Sequence, residues 1–167
     1  MISQRLFFFI ISGTSVLLIF AALALQYLEN IAPCPMCILQ RFAFIAIAII
    51  AFGAGIHNPA KGGKFYYFII IISCCLAGAA ISIRHLYLEN NPPESFDCGA
   101  DLGYLLEAFP LTKIFPMIFS GTGDCSEVPW TFMGMSLAAW ALAWFTIFIV
   151  SIIFFGFIKQ LWSEKPI

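Results

Sequence analysis

The sequence predicts an all-α membrane protein, a four-transmembrane-helix bundle in which a long exterior loop carries a short amphipathic helix. Three observations predict it. The chain is 62% hydrophobic and only 10% charged, with a mean hydropathy of +0.96, outside the composition of soluble globular domains. Its apolar residues fall into four runs, each close to the roughly 20 residues that cross a hydrocarbon core of about 30 Å. Its charges collect between those runs. A single membrane domain over residues 1–167 follows, and a net charge of -1 without a basic stripe excludes nucleic acid as an expected partner.

The first run, 6–28, spans the core at a rise of about 1.5 Å per residue. It exceeds the roughly 7 to 15 residues of a signal-peptide core, so Ala22-Leu23-Ala24 reads as part of a span and not as a cleavage site. A polar turn at 29–33 leads into the second span, 37–56, which ends at Asn58-Pro59. Lys61-Gly62-Gly63-Lys64 reads as a tight basic loop before the third span, 65–83, capped by Arg84 and His85. Within that span Gly78-Ala79-Ala80 offers a neighbouring helix a close approach.

The exterior loop, 84–131, holds Pro92-Pro93, most of the acidic residues, Cys98 and Cys125. Inside it Leu102, Leu105, Leu106 and Phe109 follow the i, i+3, i+4, i+7 rule, which predicts a surface-lying amphipathic piece broken at Pro110 and Pro116. The last span, 135–158, runs out into Lys159 and Lys165.

Charge sets the expected orientation, because short basic loops stay in the cytoplasm. Arg5, Lys61, Lys64, Lys159 and Lys165 mark one side, and the acidic residues of the exterior loop mark the other. Both termini are therefore expected in the cytoplasm. Cys34, Cys37, Cys98 and Cys125 then share the outer face, in a bacterium the periplasm, where disulfides persist.

Cys34-Pro35-Met36-Cys37 lies at the mouth of the second span. A C-x-x-C pair alone suits redox chemistry or a metal, but zinc would want a second tight pair, and Cys98 and Cys125 are far apart in sequence. The oxidising face and the helix N-terminus, which favours a thiolate, point to redox work without a metal. Cys98 and Cys125 fit either a static staple worth roughly 3 to 4 kcal/mol or a mobile exchanging pair. The nearby Gly99, Gly121 and Gly123 favour exchange.

Arg41 lies one turn beyond Cys37 on the same face. A cation inside an apolar span costs up to roughly 3 kcal/mol at mid-depth, so it is expected to hold a Cys37 thiolate and an oxygen acceptor rather than simply snorkel. His57 and His85 fall at opposite ends of the bundle and cannot form one haem pair. His57 reads as a loop residue, whereas His85 shares the outer boundary with Arg41 and reads equally as a bystander or a hydrogen-bond donor there. Cys74 and Cys75, inside the third span, read as packing residues.

Taken together, Cys34-Pro35-Met36-Cys37 with Gln40-Arg41, Arg84-His85 ahead of Cys98, and Gly123-Asp124-Cys125 leading to Trp130 and Gly134 resemble the DsbB family. That family comprises disulfide-bond formation proteins, four-helix inner-membrane thiol:quinone oxidoreductases. The resemblance covers most of the chain. It implies that a reduced periplasmic thioredoxin-fold oxidase of the DsbA type passes electrons to Cys98 and Cys125, then to Cys34 and Cys37, then to the membrane quinone pool, as ubiquinone or menaquinone. It also implies that Cys37 faces the quinone, Cys34 exchanges with Cys98, Arg41 is the quinone-site cation and His85 stands near the quinone. Neither metal nor haem is implied. Departures are Cys74, Cys75 and the Pro35-Met36 dipeptide, which should tune the pair's potential. A vitamin K epoxide reductase-like protein would carry its C-x-x-C late and its loop pair early, the reverse of the order here. A non-enzymatic scaffold would keep every outward cysteine locked.

Overall fold

The computed structural model describes residues 3–29, 34–59, 61–91 and 131–163. Cys98, Cys125 and the predicted amphipathic segment lie outside these residues. The architecture is an all-α membrane bundle of four helices: α1 (Gln4–Leu28), α2 (Pro35–His57), α3 (Lys61–Asn90) and α4 (Leu137–Ser163). Each is long and apolar enough to cross a bilayer. A short hairpin, β1 (Thr131–Phe132) and β2 (Met135–Ser136), precedes α4.

Helix ends explain where the structure departs from the sequence reading. Ser3 caps α1 by accepting from the Leu6 N–H at 3.2 Å. The second helix starts at Pro35, not at Cys37, because Cys34 is its N-cap and proline's fixed φ suits the first helical position. At its far end Asn58, left-handed at φ 45°, turns the chain with Pro59, so the glycines expected in a loop belong to the first turn of α3. Gly63 is needed there, since a Cβ would lie 2.9 Å from the Cβ of Pro59.

The third helix does not stop at residue 83 but continues to Asn90. Leu88 in those extra turns is buried against Cys34 and Met36, so the polar extension still carries a packed face. Near its end the side-chain amides of Asn90, on Leu86 O at 2.8 Å, and Asn91, on Tyr87 O at 3.1 Å, each donate back to a carbonyl one turn earlier. The fourth helix starts two residues later than expected, because Met135 and Ser136 pair with Phe132 and Thr131. The two-residue turn has positive φ at both Met133 and Gly134, the backbone hand that a tight antiparallel hairpin requires.

In chain order each helix packs on the next: α1 on α2, α2 on α3 and α3 on α4. Phe8, Ile47, Ile71, Cys75, Phe145 and Ile152 are fully buried in the shared core. Lipid tails are as apolar as leucine, so close packing and hydrogen bonds hold such a bundle rather than water exclusion. A Cβ at Gly78 would overlap the Phe145 ring, which stacks on Phe44 at 4.2 Å, so α3 and α4 approach closely where the small-residue patch was read. Ser12 Oγ donates to Ala48 O at 2.9 Å, joining α1 to α2.

The bundle has two distinct ends. At one, Arg5 donates to Gly55 O at 3.3 Å, Gln4 to Pro59 O at 3.0 Å, and Phe7 stacks on Phe155 at 4.1 Å, joining α1 to α4. His57 meets the Tyr67 hydroxyl at 3.1 Å nearby, far from the cysteine pair. At the other end Cys34, Cys37, the last turns of α3 and the hairpin come together.

Candidate redox centre

Cys34 occupies the N-cap of α2, and its Sγ accepts from the Cys37 N–H at 3.2 Å. The cap places one sulfur on a helix N–H at the positive end of the helix dipole, where a thiolate is stabilised. Cys37 Sγ is 2.9 Å from Cys34 Sγ, close enough for the two thiols to close into a disulfide after a small adjustment. Cys34 is 8% exposed and Cys37 somewhat more open.

The two sulfurs have different surroundings. Cys34 Sγ lies 3.7 Å from His85 Nε2, and the same nitrogen lies 3.7 Å from a Glu89 carboxylate oxygen. Cys37 instead lines a cavity of about 260 Å³. Its walls come from α1 through Leu18, Ala22 and Leu25, from the hairpin through Phe132, and from α4 through Trp140 and Trp144. The second helix adds Gln40, Arg41 and Phe44. Apart from Cys37, Gln40 and Arg41 the named lining is apolar. Among the described residues His85 is not one of those that line the cavity; it lies beside Cys34.

Arg41 is held from α1. One Nη donates to the Gln26 side-chain oxygen and the other to Ala22 O at 3.4 Å. A guanidinium carries five N–H donors, so two such bonds fix its plane and leave donors for an occupant of the cavity. Gln40, buried, donates to Ser82 Oγ at 3.0 Å, and Ser82 donates to Gly78 O at 2.9 Å. This chain satisfies polar groups inside the bundle and locks α2 against α3 beneath the cysteine pair.

Phe132 forms the outer wall. Its carbonyl accepts from Trp140 Nε1 at 3.2 Å, and the two rings lie 5.9 Å apart, so the hairpin folds back onto the first turns of α4. An apolar cavity of about 150 Å³ holds a benzene, so the larger space here fits one substituted ring. Cys34 Sγ, Cys37 Sγ and His85 Nε2 also lie within 4.8 Å of one another, a donor set that a thiophilic cation would accept in principle. Among the described residues the set offers three donors, one fewer than a closed structural zinc site takes from protein.

A family model described as disulfide bond formation protein DsbB matches residues 4–155. The chain belongs to the DsbB family. A disulfide bond formation protein B of Azoarcus sp. (strain BH72) is 45% identical over 139 residues, covering 83% of each chain. The protein of the same name from Aromatoleum aromaticum is 44% identical over 125 residues, 75% of each, and that of Acidovorax sp. (strain JS42) is 38% identical over 144 residues, 84% of this chain and 80% of the other. Membership gives this multi-pass membrane protein an oxidoreductase role in disulfide bond formation, which agrees with a C-x-x-C pair whose sulfurs lie 2.9 Å apart at a helix cap.

Of the residues singled out from sequence, the fold of this DsbB-family chain brings Cys34, Cys37, Arg41 and His85 to one end. Cys98 and Cys125 lie outside the described residues. Sequence reasoning gave no role to Gln26, Gln40, Ser82, Glu89 or Ser136. Signals existed for some of them: Gln40 and Ser82 are polar residues inside apolar spans, and Glu89 lies four residues from His85 on one helix. Nothing local marks Gln26 as the anchor of Arg41, because that contact depends on how α1 and α2 cross.

Proposed function

We propose that this chain is a protein-thiol:quinone oxidoreductase of the bacterial inner membrane that reoxidises a periplasmic, thioredoxin-fold oxidase of the DsbA type. In this reading both termini are cytoplasmic and the cysteine end is periplasmic. One observation carries it: Cys37 and Arg41 line the same cavity, apolar apart from them and Gln40, while Cys34 is not among its lining residues and lies beside His85. One sulfur is thus available to an acceptor and the other to thiol exchange.

The partner's two thiols reduce a Cys98–Cys125 disulfide. The Cys98 thiolate attacks Cys34 Sγ, which breaks the Cys34–Cys37 bond and leaves Cys37 as a thiolate beside Arg41. Cys125 then closes on Cys98 and expels Cys34, so the partner's electron pair rests on Cys34 and Cys37. Exchange only moves a disulfide, so a terminal acceptor is required. A quinone, when bound, takes the two electrons and two protons released as Cys34 and Cys37 rejoin. The cavity suits its head group in size, in its Arg41 and Gln40 donors for carbonyl oxygens, and in the aromatic walls of Phe44, Trp140 and Trp144.

The decisive experiment is quinone reduction driven by a reduced DsbA-type protein. Cys37→Ser and Cys98→Ser are each expected to abolish turnover, and wild-type rates in either would reject the relay. Arg41→Ala is expected to raise KM for quinone by at least about tenfold, one lost charge-assisted hydrogen bond, with little change in KM for the protein partner. Equal losses for both substrates would assign Arg41 to folding.

A further inference from the structure

Glu89 is a charged residue in the centre that the electron path does not use. It lies one turn beyond His85 on α3, and its carboxylate stands 3.7 Å from His85 Nε2. The same ring nitrogen stands 3.7 Å from Cys34 Sγ. Both groups therefore lie beside one ring nitrogen. Burial raises the Glu89 carboxyl above the usual carboxylate range, and the Ser136 hydroxyl, which caps α4 by accepting from the Ala139 N–H at 3.3 Å, works against that rise.

We infer that Glu89 is a positioning residue for Cys34 that acts through His85: the carboxylate, one turn beyond the ring on the same helix, holds the imidazole with Nε2 toward the sulfur and favours its cationic form there. This rests on the reading of Cys34 as the exchanging thiol. Among the described residues the titratable groups that face Nε2 are Cys34 and Cys37 from α2 and Glu89 from α3. The neighbouring Arg84 guanidinium lies over the Tyr87 ring, 5.3 Å from its centroid.

Reduced Cys34 and His85 share one proton between two arrangements of equal proton count, thiol with neutral imidazole or thiolate with imidazolium. Glu89 is paired with the ring nitrogen, so its charge stabilises the second arrangement and moves the proton from Sγ to Nε2. Cys34 is then a thiolate when it must close on Cys37. When Cys34 is bonded to another sulfur it is a poor acceptor, and the N–H turns back to Glu89. Because the pair titrates as a unit, its signature is the shape of a pH profile and not one shifted midpoint.

The test is the rate at which iodoacetamide alkylates Cys34 in the reduced, full-length protein in detergent, followed from acid to alkaline pH by mass spectrometry of the Cys34 peptide. The wild type is expected to show a shoulder at neutral pH, well before the rise of an ordinary thiol near about 8.5. Glu89→Gln is expected to lower the neutral rate about tenfold, the effect of one pH unit, leaving a single alkaline rise. Glu89→Asp, which keeps the charge but withdraws it by one methylene, is expected to retain part of the shoulder. In a His85→Ala background Glu89→Gln should have no further effect, since it acts through the ring. A shoulder unchanged in Glu89→Gln, or absent from the wild type, overturns the inference. The measurement needs neither quinone nor partner protein, so failure of the proposed turnover would appear separately, as wild-type protein with the shoulder but without quinone reduction.

Discussion

An arginine facing lipid at mid-depth would cost roughly 3 kcal/mol, and Arg41 is spared that by two acceptors on α1. Gln26 therefore sets where the remaining N–H donors point. Gln26→Ala is expected to raise KM for quinone by about three- to tenfold, the loss of one charge-assisted hydrogen bond, while thiol exchange with the protein partner continues at its normal rate. Steady-state kinetics with each substrate varied in turn would check it. Gln40 belongs to the same scale. Gln40→Leu removes its bond to Ser82 but leaves Ser82 satisfied by Gly78 O, so the expected stability loss is about 0.6 kcal/mol, the mean for interhelical bonds in membranes. Reversible unfolding in mixed detergent micelles would measure it.

At the scale of elements, two close approaches shape the centre. The first is α3 on α4, where Gly78 leaves room for Phe145. Gly78→Val forces that ring off Phe44 and is expected to destabilise the bundle by about 1 to 3 kcal/mol, the range for overpacking a core, seen as a lowered thermal transition. The second is the hairpin, whose turn needs φ 78° at Gly134. A β-branched residue there is strained wherever it sits, because its Cβ meets the backbone in that region. Gly134→Val is expected to unseat Phe132 from the cavity wall and release Trp140, giving weaker quinone binding and a changed tryptophan emission with the helices intact. Unaltered emission together with unaltered KM would mean that the hairpin does not shape the cavity.

For the whole molecule, the order of packing matters most. Each helix packs on its neighbour in sequence, while α1 and α4 are joined by the Phe7–Phe155 stack at the end away from the cysteines and form facing walls of the cavity at the other. The space beside Cys37 thus belongs to no single element. Filling it from the far wall tests that arrangement: Ala141 lines the cavity from α4, and Ala141→Phe is expected to exclude a ring-sized ligand and raise KM for quinone by at least about tenfold, the cost of about 1.4 kcal/mol. Alkylation of Cys34, on its other side, should not change. Loss of both would mean that the substitution disturbs the bundle.

The sequence by itself determined the four spans, the cysteine pair at the start of the second, the shared face of Cys37 and Arg41, and the small-residue contact at Gly78. These follow from residue type and helical period, which are local properties. It also carried the family, because motif spacing survives without coordinates. Tertiary structure decided where the polar groups lead: that His85 lies beside Cys34, that Gln26 holds Arg41, that Gln40 reaches Ser82, and that α3 runs on to Asn90, where Leu88 packs under Cys34. Each of these joins residues on different elements, and such contacts depend on the crossing angles and register of whole helices. A side chain's neighbours along its own helix are set by the chain, but its neighbours across the bundle are set only when all four helices have packed.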